Sequence, residues 1–109
     1  MACTRIAFPA LTWSPGLHPL ERKKTSAERP AVMIEFAPGF DDPNVCVRAH
    51  VIFVVRGTLD IVLDEGTQRF GEGECCWLDA GTRHRACNPG AEPVVAFIAS
   101  DVEVRLDAG

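Results

Sequence analysis

The 109-residue sequence has no apolar run long enough to cross a bilayer. Its first residues lead into broken apolar stretches instead of the continuous core of a signal peptide, so the expected compartment is the cytoplasm. Basic residues are not in excess, because 11 lysines and arginines stand against 15 aspartates and glutamates, for a formal net charge of -4. A phosphate backbone would find little to bind. We therefore expect neither a membrane nor a nucleic acid as partner.

Tyrosine is absent, which removes one of the side chains that can serve as a general acid. The five cysteines are an odd number and lack the spacing of a disulfide scaffold, so we expect free thiols that act mostly as small core residues. The length suits one domain with one core. Any functional site must therefore share that core.

Sustained helical periodicity is also missing, and from residue 31 onward short runs rich in Val, Ile and Phe alternate with turn residues. This pattern is typical of an all-β domain. Strands are predicted at residues 31–37, 45–55, 58–63, 68–70, 75–78, 83–87 and 94–99, with a last strand at 102–106. Residues 4–8 are a candidate edge strand, and the proline-containing residues 14–30 are expected to form an irregular arm of the same domain.

Side chains alternate along the predicted strand at 45–55 and its approach, so its two faces differ. One face is wholly apolar, whereas the other carries Asn44, Cys46, Arg48 and His50. In a barrel or sandwich the mixed face can point into a partly polar cavity. Six aromatic side chains are expected in the core: Trp13, Phe36, Phe40, Phe53, Trp77 and Phe97. Phe40 is also a candidate to pack on a ligand near the pocket mouth.

An inward Arg48 would need an anion, because an unpaired buried guanidinium is costly. That anion is either a carboxylate-bearing ligand or an internal partner, Glu35 or Glu74.

Residues 73–88 match the spacing G-x5-P-x-G-x2-H-x3-N at Gly73, Gly81, His84 and Asn88, with Asp79 in place of the proline. This segment resembles the second conserved motif of the cupins.

Upstream, His50 lies seven residues before Gly57, where the first cupin motif, H-x-H-x3-E-x6-G, has its acidic residue. The same spacing puts Asn44 and Cys46 in the two histidine positions. The resemblance implies an all-β double-stranded β-helix, the cupin jelly-roll barrel, over residues 31–109, with residues 1–30 as edge strand and arm.

The resemblance also implies a site inside the barrel. Cys46, His50 and His84 are the implied metal ligands, and Asn44 is a weak fourth ligand or a ligand-binding group. Two imidazoles and a thiolate suit zinc, iron or copper. The alternative is that no metal binds, with Cys46 as a packed small residue and the histidines as hydrogen-bonding groups of the pocket.

Three functions remain open. The first is a metal-dependent oxygenase or isomerase that acts on a small, anionic organic ligand in a homodimer. The second is a non-catalytic cupin that binds or senses a metabolite without metal. The third, a metal-free sugar epimerase, usually needs a tyrosine acid that the sequence lacks. A thiol nucleophile at Cys46, activated by His50 or His84, has no accompanying oxyanion-hole motif.

Overall fold

Two antiparallel sheets face each other around one apolar core, in a computed structural model that describes residues 3–101. The strands in this part of the chain are β1 Ser14–Pro15, β2 Glu21–Thr25, β3 Ala31–Phe36, β4 His50–Arg56, β5 Leu59–Leu63, β6 Gly66–Phe70, β7 Cys75–Leu78, β8 His84–Cys87 and β9 Val94–Ser100. A short 3-10 turn at Phe8–Ala10 precedes them. The predicted all-β jelly-roll barrel is confirmed.

The larger sheet has the strand order β1-β2-β3-β9-β4-β7, and the smaller sheet has the order β6-β5-β8. Alternation within each strand sends one set of side chains into the space between the sheets. In β4 this set is Ile52 and Val54, which lie opposite Ile98 and Ala96 of β9. In β5 the fully buried Leu59 and Ile61 close the core from the other side.

The predicted irregular arm at 14–30 is wrong, because β1 and β2 extend the larger sheet there. The prediction missed β2 because its sequence, ERKKT, is polar on both faces. The outward Arg22 and Lys24 lie over the ring of Trp13, at 4.5 and 4.9 Å from its centroid. The edge strand expected at 4–8 is also absent from the described residues, and the one expected at 102–106 lies outside them.

The strand predicted at 45–55 begins only at His50. Residues 37–49 cross the end of the barrel and touch β8 at two isolated bridges, Asp41 with Cys87 and Cys46 with His84. This segment contains the predicted metal ligand Cys46 and the predicted ligand-binding residues Phe40, Asn44 and Arg48, without being a regular strand.

The prediction that six aromatic residues lie in the core is wrong for four of them. Trp13 and Phe97 are half-buried outside the core cluster, and Phe53 and Trp77 are 41% and 57% exposed. The two exposed residues belong to the outer face of the larger sheet. Phe36 and Phe40 do lie in the core, with their rings stacked 4.3 Å apart.

Gly57 joins the two sheets between β4 and β5. Its φ of 84° lies in the left-handed region, and a Cβ atom there would be 2.7 Å from the carbonyl oxygen of Pro93.

No helix among residues 3–101 is long and apolar enough to cross a membrane.

Candidate functional site

Cys46 and His84 face each other across the gap between the 37–49 segment and β8. Their backbones exchange two hydrogen bonds: the Cys46 N–H donates to the His84 carbonyl at 2.8 Å, and the His84 N–H donates to the Cys46 carbonyl at 3.0 Å. The Gly81 N–H donates to the carbonyl of Val47 at 2.8 Å, which fixes the turn before β8 to the same segment. The backbone thus holds these two side chains side by side.

His50 approaches the same point from the larger sheet, at the first residue of β4. Its Nε2 lies 3.4 Å from the Sγ of Cys46, and its ring meets that of His84 edge to face with centroids 5.2 Å apart. One ligand atom from each of the three residues lies within 4.8 Å of the other two. We call these three residues the Cys-His-His cluster.

Hydrogen bonds orient both imidazoles. The Nδ1 of His84 lies 2.9 Å from the carbonyl oxygen of Thr82, which can only accept, so Nδ1 carries the proton and a neutral ring keeps its Nε2 lone pair. The Nδ1 of His50 lies 2.9 Å from the Ser100 hydroxyl, which can accept or donate. Both rings therefore use Nδ1 for a partner in the protein, the arrangement that metal-binding histidines show.

Electrostatics favours a neutral His50. Burial lowers its pKa most, and the neighbouring His84 and Arg48 charges lower the pKa further. Only a neutral imidazole can bind a metal ion.

The donor set fits a transition metal. Bond lengths of about 2.3 Å to sulfur and 2.0 Å to nitrogen in a tetrahedral zinc site imply a sulfur-to-nitrogen separation of about 3.5 Å. The 3.4 Å between Cys46 and His50 matches this value. A thiolate with two imidazoles also suits iron or copper better than magnesium or calcium.

A cavity of about 550 Å³ opens beside the cluster, within the usual size range of small-molecule sites. It lies against the inner face of the larger sheet, on side chains of β2, β3 and β9, and residues 40–48 form part of its rim. Cys46 and His50 lie in its wall. A bound molecule can therefore reach the cluster from this cavity.

The three residues predicted to bind ligand all line this cavity: Phe40, Asn44 and Arg48. Phe40 is only 2% exposed and belongs mainly to the core, and Asn44 is exposed at the rim.

Arg48 corrects the prediction of an inward guanidinium, since its side chain is 57% exposed and bonded to Asp101 at 2.6 Å. Neither predicted partner is used: Glu35 pairs with Arg22, and Glu74 accepts the N–H of Gly71. The alternation rule failed because Arg48 precedes the start of β4.

Sequence reasoning missed most residues of the cavity wall, among them His18, Lys23 and Ser100. Ser100 could have been found, because it continues the alternation of Ala96 and Ile98 one residue past the predicted end of the strand. His18 and Lys23 lay in the segment interpreted as an irregular arm.

The motif asparagine, Asn88, has a structural role. It is 1% exposed, and its side-chain amide donates to the carbonyls of Phe36 and Glu92 and accepts the N–H of Gly90. It ties the end of β8 to the end of β3.

Comparisons with known proteins agree with this architecture. KdgF from Halomonas sp. superposes with a TM-score of 0.73 at 19% identity, over 92% of this chain and 96% of that one. The polyketide cyclase RemF from Streptomyces resistomycificus gives 0.73 at 19% identity, over 91% and 79%. A cupin-superfamily sugar phosphate isomerase from Silicibacter pomeroyi DSS-3 gives 0.71 at 14% identity, over 87% and 73%.

At these identities the likeness shows the fold alone. No curated protein matches the sequence. The family described as "Cupin domain" matches residues 32–100, which is more than half of the chain. This protein therefore belongs to the cupin domain family.

Proposed function

We propose that this cupin binds a divalent transition metal (zinc, iron or copper) through Cys46, His50 and His84, and a small organic molecule in the adjoining cavity. The observation that carries the proposal is the convergence of the three side chains from two sheets and a crossing segment. Each imidazole uses Nδ1 for a protein partner and keeps Nε2 for the shared point.

The chain's own residues divide the work at this site. Thr82 and Ser100 orient the imidazoles, and the apolar Ile34, Ile98 and Phe40 of the cavity wall limit the access of water. A metal held there would supply Lewis acidity toward an oxygen atom of the bound molecule. Three protein donors leave room in the coordination sphere for that atom.

As an enzyme, the protein would be a metal-dependent oxygenase or isomerase. Support for the isomerase comes from the fold shared with the sugar phosphate isomerase from Silicibacter pomeroyi DSS-3, although a fold can serve many reactions. The second candidate is a non-catalytic cupin that binds a metabolite. One contact favours it, because the Sγ of Cys46 lies 3.4 Å from the Nε2 of His50, so the two groups can hydrogen-bond to each other without a metal.

Metal analysis of the purified, untagged protein tests the proposal without a known substrate. We expect about one zinc, iron or copper ion per chain by inductively coupled plasma mass spectrometry. Cys46→Ala and His84→Ala should lose the metal, whereas Cys75→Ala and His18→Ala, which change the same residue types outside the cluster, should keep it.

No metal in the wild-type protein, even after incubation with zinc under reducing conditions, would overturn the metal site and favour the metal-free binding protein. Metal that persists in both cluster variants would overturn the assignment of the ligands.

We also propose that two copies of the chain pair through an outer apolar patch. It comprises Phe53, Val55, Cys75 and Trp77 on the outer face of β4 and β7, together with Val45 and Val47 of the adjoining 37–49 segment. All six side chains are exposed and uncharged. We estimate their exposed area as about 500 Å², near the upper end for the largest patch of a monomer. A standard interface needs about 800 Å² from each partner, so the patch would supply more than half.

The chain covers the adjoining part of the same outer face itself. Phe8 packs edge to face on Phe97 with ring centroids 5.9 Å apart, while Phe53, directly opposite Phe97 on the next strand, stays open. A second copy would continue this cover across β4 and β7.

Light scattering after size-exclusion chromatography should give twice the chain mass for the wild type and the single chain mass for Trp77→Arg. Leu17→Arg, which adds the same charge at an exposed leucine away from the patch, should remain dimeric. A monomeric wild-type protein at tens of micromolar would overturn the dimer.

A further inference from the structure

The wall of the cavity carries two cations besides Arg48, namely Lys23 and Arg29. Lys23 points inward because it lies opposite Ile34, a core residue of β3, and it is half-buried. Within residues 3–101 neither cation forms an ion pair with a carboxylate. Such charges on a concave wall attract an anion.

His18 adds a hydrogen-bond donor to the same wall. Its Nδ1 accepts the backbone N–H of Leu20 at 3.0 Å, so in the neutral ring the proton sits on Nε2. The ring is held in place edge to face against Phe40, with centroids 5.0 Å apart.

The acidic groups of the cavity wall are already engaged by the backbone. Glu21 accepts the N–H groups of Leu17 and His18 at 2.7 and 3.2 Å, and Asp42 accepts the N–H of Asn44 at 2.9 Å. The third cation of the wall, Arg48, pairs with Asp101. Among the described residues, Lys23 and Arg29 are therefore the cations of this wall that have no carboxylate partner.

Strand register separates Lys23 from the cluster. Lys23 shares a rung with Ile34, Ala96 and Val54, three strands and four residues away from His50. At ordinary strand spacing and rise this is about 14 Å across the sheet and 13 Å along it. Lys23 therefore lies far from the metal-ligating end of the cavity, whereas Arg29 precedes Pro30, whose carbonyl accepts the N–H of Ser100, the partner of His50.

We propose that Lys23, with His18, binds the oxyanion of the cavity's ligand, a carboxylate or a phosphate. The ligand is thus an elongated organic acid or phosphate ester whose anionic group lies far from the atoms that face the Cys-His-His cluster. This inference rests on the proposed function, since it concerns the molecule held in the same cavity.

The test titrates the full-length protein with inorganic phosphate and, separately, with succinate, while sodium chloride keeps the ionic strength constant. Proton–nitrogen correlation spectra should show shifts concentrated in β2 and at residues 17–18. Lys23→Met should weaken the binding of the preferred anion about tenfold, because a charged hydrogen-bond donor is lost. The stronger of the two titrations identifies the anion as phosphate or carboxylate.

Lys24→Met is a matched control on the same strand. The Lys24 ammonium lies on the outer face, over Trp13 and 3.1 Å from the carbonyl of Phe8, so anion binding should be unchanged. Equal weakening in both variants, or no shift in β2 with either anion, would overturn the inference.

Metal content measured on the same samples separates the two proposals. Lys23→Met that keeps its metal but binds the anion weakly supports the anionic end. A metal-free wild-type protein that still binds the anion through Lys23 overturns the metal site and leaves the anionic end standing. A metal-loaded protein without anion binding gives the reverse result.

Discussion

Both faces of β4 carry large apolar side chains, but those side chains are buried on one face and exposed on the other. Ile52 and Val54 are buried between the sheets, whereas their neighbours Phe53 and Val55 are exposed on the outer face. The difference lies in what covers each face, because the smaller sheet lies over one and no part of residues 3–101 buries the other. Hydrophobicity alone therefore does not distinguish a core face from a docking face.

The largest expected difference between the faces is in stability. Ile52→Ala removes three carbons from a side chain that is 3% exposed, and the cavity left behind should lower the free energy of unfolding by about 2–5 kcal/mol. Val55→Ala should change it by less than about 0.5 kcal/mol. Urea unfolding of both variants in a Trp77→Arg background, where pairing is removed, makes the comparison; equal losses would mean that the outer face is packed within one chain.

The reactivity of thiols should also differ between the two faces of the larger sheet, because β7 places adjacent cysteines on opposite faces. Cys75 is exposed, while burial raises the pKa of Cys76 to about 11. At pH 8 only about one Cys76 thiol in a thousand is ionised. Iodoacetamide followed by peptide mass spectrometry should label Cys75 at least about a hundredfold faster.

If labelling of Cys75 slows as the protein concentration rises, this would support the proposed dimer, because pairing of two copies would cover Cys75. Rapid labelling of Cys76 at pH 8 would contradict its place in the core.

A smaller effect is expected when the hydrogen bond that supports His50 on the inner face of the larger sheet is removed. Ser100→Ala removes the hydrogen bond to Nδ1 of His50 and should weaken zinc binding about 10- to 100-fold, as loss of such supporting partners does elsewhere. Ser14→Ala is the control. It removes a hydroxyl of β1 that donates to the carbonyl of Lys23 in β2, and it should leave the zinc affinity unchanged. Competition with a chromophoric chelator measures both, and equal affinities in the two variants would show that Ser100 does not support the site.

The sequence predicted the barrel and brought together the three cluster residues because both depend on local signals. Short runs of β-forming residues mark the strands. The spacing of the two cupin motifs predicted that His50, His84 and Cys46 lie close together. Arg48 was misplaced because a regular strand was assumed from residue 45, whereas the alternation starts at His50. Its partner Asp101 is distant in sequence and becomes a neighbour only through the fold.

β2 could not be predicted from its own residues. The run of charges that looks like an exposed loop becomes a strand because β3 offers it a partner edge, with five residue pairs from Glu21–Phe36 to Thr25–Val32. Pairing then gives adjacent lysines opposite surroundings, Lys23 in the cavity and Lys24 over Trp13. Composition cannot reveal this difference, since it arises from a neighbour contributed by a separate segment.

The segment at 37–49 is more than a connection between β3 and β4. Its N–H groups at Asp42 and Cys46 donate to the carbonyls of Ala86 and His84, so it acts as a discontinuous fourth strand of the smaller sheet. Amide protons at Cys46 and His84 should exchange with solvent together, at the rate of an opening that frees both segments from each other. Opening of the cavity rim and separation of two cluster ligands are therefore one motion.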